Sequence, residues 1–267
     1  MRPIIGQKRL VDALFGHTLE TVPKTMIFLG QSGCGKSWVA AAFAEHLGLD
    51  FENIDLTDIS TEQLQDYYRC PLEKFYFIDL KGITEKQQNK ILKFIEEPSK
   101  NMHVILMAES EIGVLPTILN RCVKYYFEPY SIEDLKQFDW TVESPNNLVF
   151  AICKTPGDLS NFDSTNVGEL YDLCKKVVLY TSTANYANTI SLITKINCKD
   201  DYKKFDLRLF LDMLEYVSFE DYKASSDMTS LNIYLYVIDQ KKRILNKAFA
   251  KESFVLNFFD GLWRLTH

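Results

Sequence analysis

The chain lacks the features that mark membrane-spanning, secreted or disulfide-stapled proteins. None of its apolar runs approaches the about 18 residues that cross a bilayer, and residues 1–7 carry no apolar stretch of the secretion-signal kind, so a cytoplasmic location is expected. Cysteine is present six times, at 34, 70, 122, 153, 174 and 198, but never as a Cys-x-x-Cys pair. The four histidines, at 17, 46, 103 and 267, do not cluster with the cysteines, so neither a zinc site nor a disulfide framework is expected and the thiols read as reduced. Positive charge is also in short supply. Thirty Lys and Arg stand against 36 Asp and Glu, a net charge of -6, which opposes coating nucleic acid through a general positive field but leaves room for a local contact. No repeats or low-complexity tracts occur, and the last hundred residues are nearly free of Gly and Pro.

What is present describes a folded globular protein: 267 residues, 46% hydrophobic and 25% charged, enough for about two domains at roughly 150 residues each. Residues 25–29, Thr-Met-Ile-Phe-Leu, form an apolar run ending at Gly30, and a helical stretch over 36–47 follows directly, with Gly48 as its stop. Residues 75–78 and 104–107 are short, continuous and rich in β-formers, as strands buried on both faces of a parallel sheet are; 123–127 offer another. Between them, Thr84 and Gln87 make a capping-box pattern opening a helix with Leu92 and Ile95 on one face, closed by Pro98. Strands alternating with helices predict an α/β layered domain over 1–129. After Pro129 the pattern changes to short helices at 131–138 and 149–154, punctuated by Pro145, Pro156 and Gly157, which predicts a small helical domain over 130–165. From 166 to 267, apolar residues recur at helical spacing, as at Ile233, Val237, Ile244 and Leu245, predicting a third, all-helical domain.

The strongest local signal is Gly30, Gln31, Ser32, Gly33, Cys34, Gly35, Lys36 and Ser37, which satisfies G-x-x-x-x-G-K-[ST] between a strand and a helix. This is a Walker A loop. Its glycines let successive N–H groups point at phosphates held at the positive end of the following helix. Lys36 is expected to reach the β- and γ-phosphates and the Ser37 hydroxyl to ligate Mg²⁺; the alternative is a glycine-rich turn that binds nothing. The run Phe75, Tyr76, Phe77, Ile78, Asp79 ends four apolar residues on an acid beside that loop, the Walker B pattern, in which Asp79 assists Mg²⁺; the alternative is a surface acid at a strand end. Leu80 follows where water-activating ATPases carry glutamate.

Residues 83–98, Ile-Thr-Glu-Lys-Gln-Gln-Asn-Lys-Ile-Leu-Lys-Phe-Ile-Glu-Glu-Pro, resemble the helix of clamp-loader AAA+ subunits that ends in Leu-Glu-Glu-Pro. Residues 115–122, Leu-Pro-Thr-Ile-Leu-Asn-Arg-Cys, are similar to the family's Pro-Thr-Ile-x-Ser-Arg-Cys motif, with Asn120 in place of serine. Residues 4–7, Ile-Ile-Gly-Gln, resemble its Ile-Gly-Gln box, and Thr155, Pro156, Gly157, Asp158, Leu159 its lid motif. Five motifs in the family's order cover residues 4 to about 160; the remainder matches only by helical character. The resemblance is to bacterial gamma/tau and delta-prime subunits and to replication factor C small subunits.

The resemblance implies an AAA+ P-loop domain with a parallel sheet, a helical lid and a helical collar through which subunits form a ring. It implies that residues 30–37 bind ATP, that Asp79 assists Mg²⁺, and that Arg121 is an arginine finger offered in trans to a neighbour's nucleotide. The alternative for Arg121 is an ordinary surface ion pair. Implied partners are other loader subunits, a sliding clamp and primer-template DNA, the last through Lys86, Lys90 and Lys93, which recur at helical spacing; a merely solvated face is the alternative. The sequence departs from hydrolysing members at Leu80, at the sensor-1 position, where Ser110 is the substitute, and at Ser160, where ATPase members often carry the sensor-2 arginine. These departures are similar to the delta-prime type and leave hydrolysis open. The competing readings are another AAA+ replication ATPase such as a helicase loader, a branch-migration motor, or a P-loop kinase.

Overall fold

The computed structural model describes residues 4–138, 147–160, 167–183, 185, 187–188, 191–192, 207–245 and 251–266. Contacts divide the chain into two compact units, one of residues 1–141 with 153–161, the other of 142–152 with 162–267. The first is built on five parallel strands: β1 Thr25–Leu29, β2 Asp50–Asn53, β3 Lys74–Asp79, β4 Met102–Ala108 and β5 Val123–Tyr126, in the order β2-β3-β4-β1-β5. Around them lie α1 Lys8–Phe15, α2 Lys36–His46, α3 Thr61–Arg69, α4 Glu85–Lys90, α5 Leu92–Glu96, α6 Pro116–Leu119 and α7 Ile132–Leu135.

The three central strands are apolar but for Thr25, Lys74, Asp79 and His103 because both faces are covered, and their side chains divide with the strand period of two. Met26 and Phe28 of β1, Phe75 and Phe77 of β3, and Ile105 and Met107 of β4 pack with Leu10 and Leu14 of α1 and Val39 and Phe43 of α2. Ile27 and Leu29, Tyr76 and Ile78, and Val104 and Leu106 face the opposite layer, with Leu64 of α3, Phe94 and Ile95 of α5 and Ile118 of α6. The expected single helix over 84–98 is two segments. At Ile91 the amide bonds Gln88 O, three residues back, and φ/ψ of -96°/-1° tighten the turn between α4 and α5.

The second unit is helical: α8 Asn147–Ile152, α10 Val167–Ser182, α11 Leu207–Ser225, α12 Met228–Leu245 and α13 Lys251–Thr266; α9, Pro156–Ser160, belongs to the first unit. Leu170, Cys174 and Val177 of α10, Leu211 and Leu214 of α11, Ile233 and Val237 of α12 and Phe258 and Leu262 of α13 are buried. Lys241 bonds Asp212 and Glu215, joining α12 to α11 by an ionic contact. The side chains of Ile244 and Leu245, like Cys198 and His267, lie outside what the structure describes. No described helix is long and apolar enough to cross a membrane.

Candidate functional site

Parallel pairing brings the C-terminal ends of β1, β3 and β4 to one edge, since Leu29 stands opposite Ala108 and Asp79 opposite Met107. That edge is where open α/β sheets take ligands. The loop of residues 30–35 leaves β1 there and enters α2. Gly30 must be glycine: a Cβ would lie 2.6 Å from Phe127 Cβ and 2.9 Å from Cys34 Sγ. Gly33 and Gly35 sit at φ of +78° and +91°, which L side chains rarely adopt, and these two reversals curl the loop. No side chain caps α2, so its first-turn amides face the cavity mouth without a cap. Ser32, Gly33, Gly35, Lys36, Ser37, Trp38, Asp79, Lys81, Ala108 and Glu109 line a cavity of about 310 Å³.

Of the eight loop residues named from the sequence, Ser32, Gly33, Gly35, Lys36 and Ser37 line this cavity. Gly30, Gln31 and Cys34 do not, and they serve the loop's shape. Gly30 N–H donates to Ala108 O at 3.1 Å, and the carbonyls of Gly30 and Gln31 accept from Lys36 Nζ at 2.6 and 2.9 Å. The Cys34 carbonyl accepts from Tyr130 Oη at 3.0 Å, while burial pushes the Cys34 thiol up from its ordinary pKa. Ser37 Oγ lies 3.4 Å from Met107 Sδ, and the Asp79 carboxylate is exposed at the end of β3. Curled backbone amides, an ammonium, a hydroxyl and a carboxylate form a donor set that fits a polyphosphate with a hard divalent cation.

Two supports for the loop were not read from the sequence as such. The buried Gln7 side chain donates Nε2–H to Glu128 O at 2.6 Å and accepts Glu128 N–H at 2.8 Å, fastening the Ile-Gly-Gln box to the chain leaving β5. The lid motif lies against the loop itself: Gly157 N–H donates to Gly33 O at 3.0 Å, and a Cβ on Gly157 would stand 2.5 Å from Gly33 Cα. Asp158 Oδ2 accepts from the amides of Lys154 and Thr155, and Thr155 Oγ1 accepts from Asp158 N–H. The Thr-Pro-Gly-Asp spacing is a capping box and was the available signal. Ser160 Oγ bonds Gly157 O and so closes its own short helix.

Leu80 is turned away from the cavity. It is 6% exposed and packs with Leu56, Ile59 and Ile91, so the position after the Walker B acid faces the core. Lys81 takes the outward place, its N–H bonded to Asp79 Oδ1 at 3.0 Å. Leu80→Glu is therefore expected to leave ATP turnover unchanged and to lower stability by about 2–3 kcal/mol, because the new carboxyl is buried among apolar groups. Urea unfolding and steady-state turnover of the variant check both; raised turnover would show that the side chain reaches the site.

Arg121 lies elsewhere. Its carbonyl accepts from Thr25 Oγ1 at 2.8 Å, at the start of β1, whereas the phosphate loop begins at that strand's other end. Four residue steps at about 3.3 Å put roughly 13 Å of strand between them. Arg121 is 40% exposed, with Nη2 3.0 Å from Glu96 Oε1 and Nη1 donating to Thr117 O at 2.9 Å. Among the three lysines, Lys90 Nζ donates to Ile59 O at 3.1 Å and Lys93 lies 5.6 Å from the Tyr68 ring, while Lys86 is exposed. Ser110 is exposed just beyond β4, its Oγ accepting Ile112 N–H at 3.3 Å.

A family profile described as DNA polymerase III, delta subunit, matches residues 72–131, which hold β3, the Glu-Glu-Pro segment and Arg121. The gamma subunit of DNA polymerase III from Buchnera aphidicola subsp. Schizaphis graminum is 23% identical over 300 residues, 94% of this chain and 81% of that protein. The homology is to clamp-loader AAA+ subunits. The replication factor C small subunit of Methanococcus maripaludis is 23% identical over 161 residues, 54% of this chain, and the chain spans about half of that protein's length, 51%. A gamma subunit-related protein of DNA polymerase III from Thermotoga maritima covers 97% of this chain with a TM-score of 0.50 at 13% identity, a likeness of fold alone.

Proposed function

We propose that this chain is an ATP-binding subunit of a sliding-clamp loader, a complex that opens a ring-shaped clamp and places it on primed DNA. The observation that carries the reading is the separation of two functions across one sheet. The loop, Lys36, Ser37 and Asp79 stand at the C-terminal edge, and Arg121 stands about a strand's length away at the other end of β1. Lys36 and the loop amides would hold the phosphates, and Ser37 and Asp79 would hold Mg²⁺, which neutralises and orients the terminal phosphates when bound. Arg121 cannot serve its own loop across that distance, and its service to a neighbour's nucleotide makes hydrolysis depend on assembly. Residues 166–267 would form the collar, residues 130–165 the lid, and Lys86, Lys90 and Lys93 the face toward DNA phosphates.

A second reading is favoured by Leu80. Its side chain lies in the core, so no carboxylate follows Asp79 there, and position 160 holds a serine bonded within its own helix rather than a cation. ATP then acts as structural glue in a delta-prime-like scaffold whose contribution to hydrolysis is Arg121. Both readings expect turnover by the isolated chain below about 0.01 per second with Mg-ATP. Single-turnover hydrolysis assays on the purified protein test this; turnover of about one per second or more would replace both readings with an autonomous ATPase.

A further inference from the structure

Among the described residues, Lys81 is the one cavity cation that no motif explains. β3 delivers it there by a local device: Asp79 Oδ1 accepts the Lys81 N–H, Leu80 anchors inward among the core side chains, and Gly82 at φ +72° turns the chain away. From that anchor the Lys81 side chain crosses the cavity mouth, with Nζ 3.5 Å from Ser32 Oγ of the phosphate loop and 3.4 Å from Glu109 Oε1 at the end of β4. Lys36 lies across the loop's own carbonyls, so two ammonium groups from different elements border one cavity. The Lys81–Glu109 pair is 64% and 46% exposed, and an ion pair so exposed holds its lysine weakly. A multiply charged phosphate at hydrogen-bonding distance is a stronger partner than one solvated carboxylate.

We propose that Lys81 is a specificity-determining residue that contacts the terminal phosphate of a bound nucleoside triphosphate and sets the preference for triphosphate over diphosphate. The inference rests on the nucleotide-binding reading above. Position supports it: Lys81 borders the cavity beside Asp79, the acid that would hold the nucleotide's divalent cation. Charge supports it as well. Asp79 and Glu109 both line the cavity and would repel a γ-phosphate, and Lys81 is within reach of both the phosphate site and Glu109. Here the side chain that faces the cavity next after Asp79 is a cation, which retains the terminal phosphate without activating water.

The test is calorimetric titration of the full chain and of Lys81→Ala and Lys81→Arg with Mg-ATP and with Mg-ADP. Lys81→Ala is expected to lose roughly tenfold to a hundredfold in ATP affinity while its ADP affinity stays within about threefold of the parent, and Lys81→Arg to keep most of the ATP affinity. ATP and ADP affinities both unchanged in Lys81→Ala would overturn the proposal while leaving the phosphate loop's role standing. Equal losses for the two nucleotides would also overturn it, showing that Lys81 only supports the loop through Ser32. If the parent chain binds neither nucleotide, the nucleotide-binding reading fails and takes this inference with it.

Discussion

Arg121→Ala in a reconstituted loader is expected to lower ATP turnover at the site it faces by about 10³–10⁵ while this chain's own ATP affinity stays nearly unchanged. The expectation follows from position. The residue is tied to the start of β1 through Thr25, at the opposite sheet edge from the loop, so its loss cannot reach the chain's own phosphates directly. Its exposed ion pair with Glu96 contributes little to stability, so the variant is expected to fold and assemble. Arg121→Lys is expected to recover little, because a point charge does not reproduce the planar guanidinium fork. Steady-state ATPase of the complete assembly with clamp and primed DNA, wild type beside mutant, measures the effect. Unchanged turnover with confirmed incorporation of the mutant would make Arg121 a structural residue.

Lys36→Ala is expected to weaken ATP binding by the isolated chain about a hundredfold or more. A charged hydrogen bond is worth about 1.5–3 kcal/mol, and a loop lysine reaching two phosphates makes more than one. Thermal stability is expected to change little, because the ammonium's intramolecular partners are two carbonyls and the Cys34 sulfur of its own loop. Calorimetric titration with Mg-ATP checks the affinity; equal affinity in the parent and the variant would remove the loop's assigned role.

Much of the sheet-bearing unit was legible in the sequence because buried parallel strands leave continuous apolar runs. β1, β3 and β4 are such strands, and the loop is legible because its curled backbone tolerates few residues besides glycine at 30, 33 and 35. β2 was not legible: Asp-Phe-Glu-Asn is a sheet edge paired to β3 alone, mostly exposed, so no hydrophobic pattern marks it. α3 is similarly polar and is marked only by the capping box of Ser60 and Gln63. In the site, the sequence shows that Leu80 is not a glutamate, but only packing shows that the side chain faces the core and hands its place to Lys81. Lys81 and Glu109 lie 28 positions apart and meet because β3 and β4 end at one edge, a relation that strand register fixes and no local motif encodes. The seat of Gly157 on Gly33 is likewise a contact between distant segments.

Native mass spectrometry of the tagged chain, purified from its own cells in Mg-ATP, bears most directly on the proposed role in a clamp loader. The expected result is a hetero-oligomer in which this chain is held with further AAA+ subunits and a ring-shaped clamp. Recovery of the chain as a lone monomer under the same conditions would contradict it.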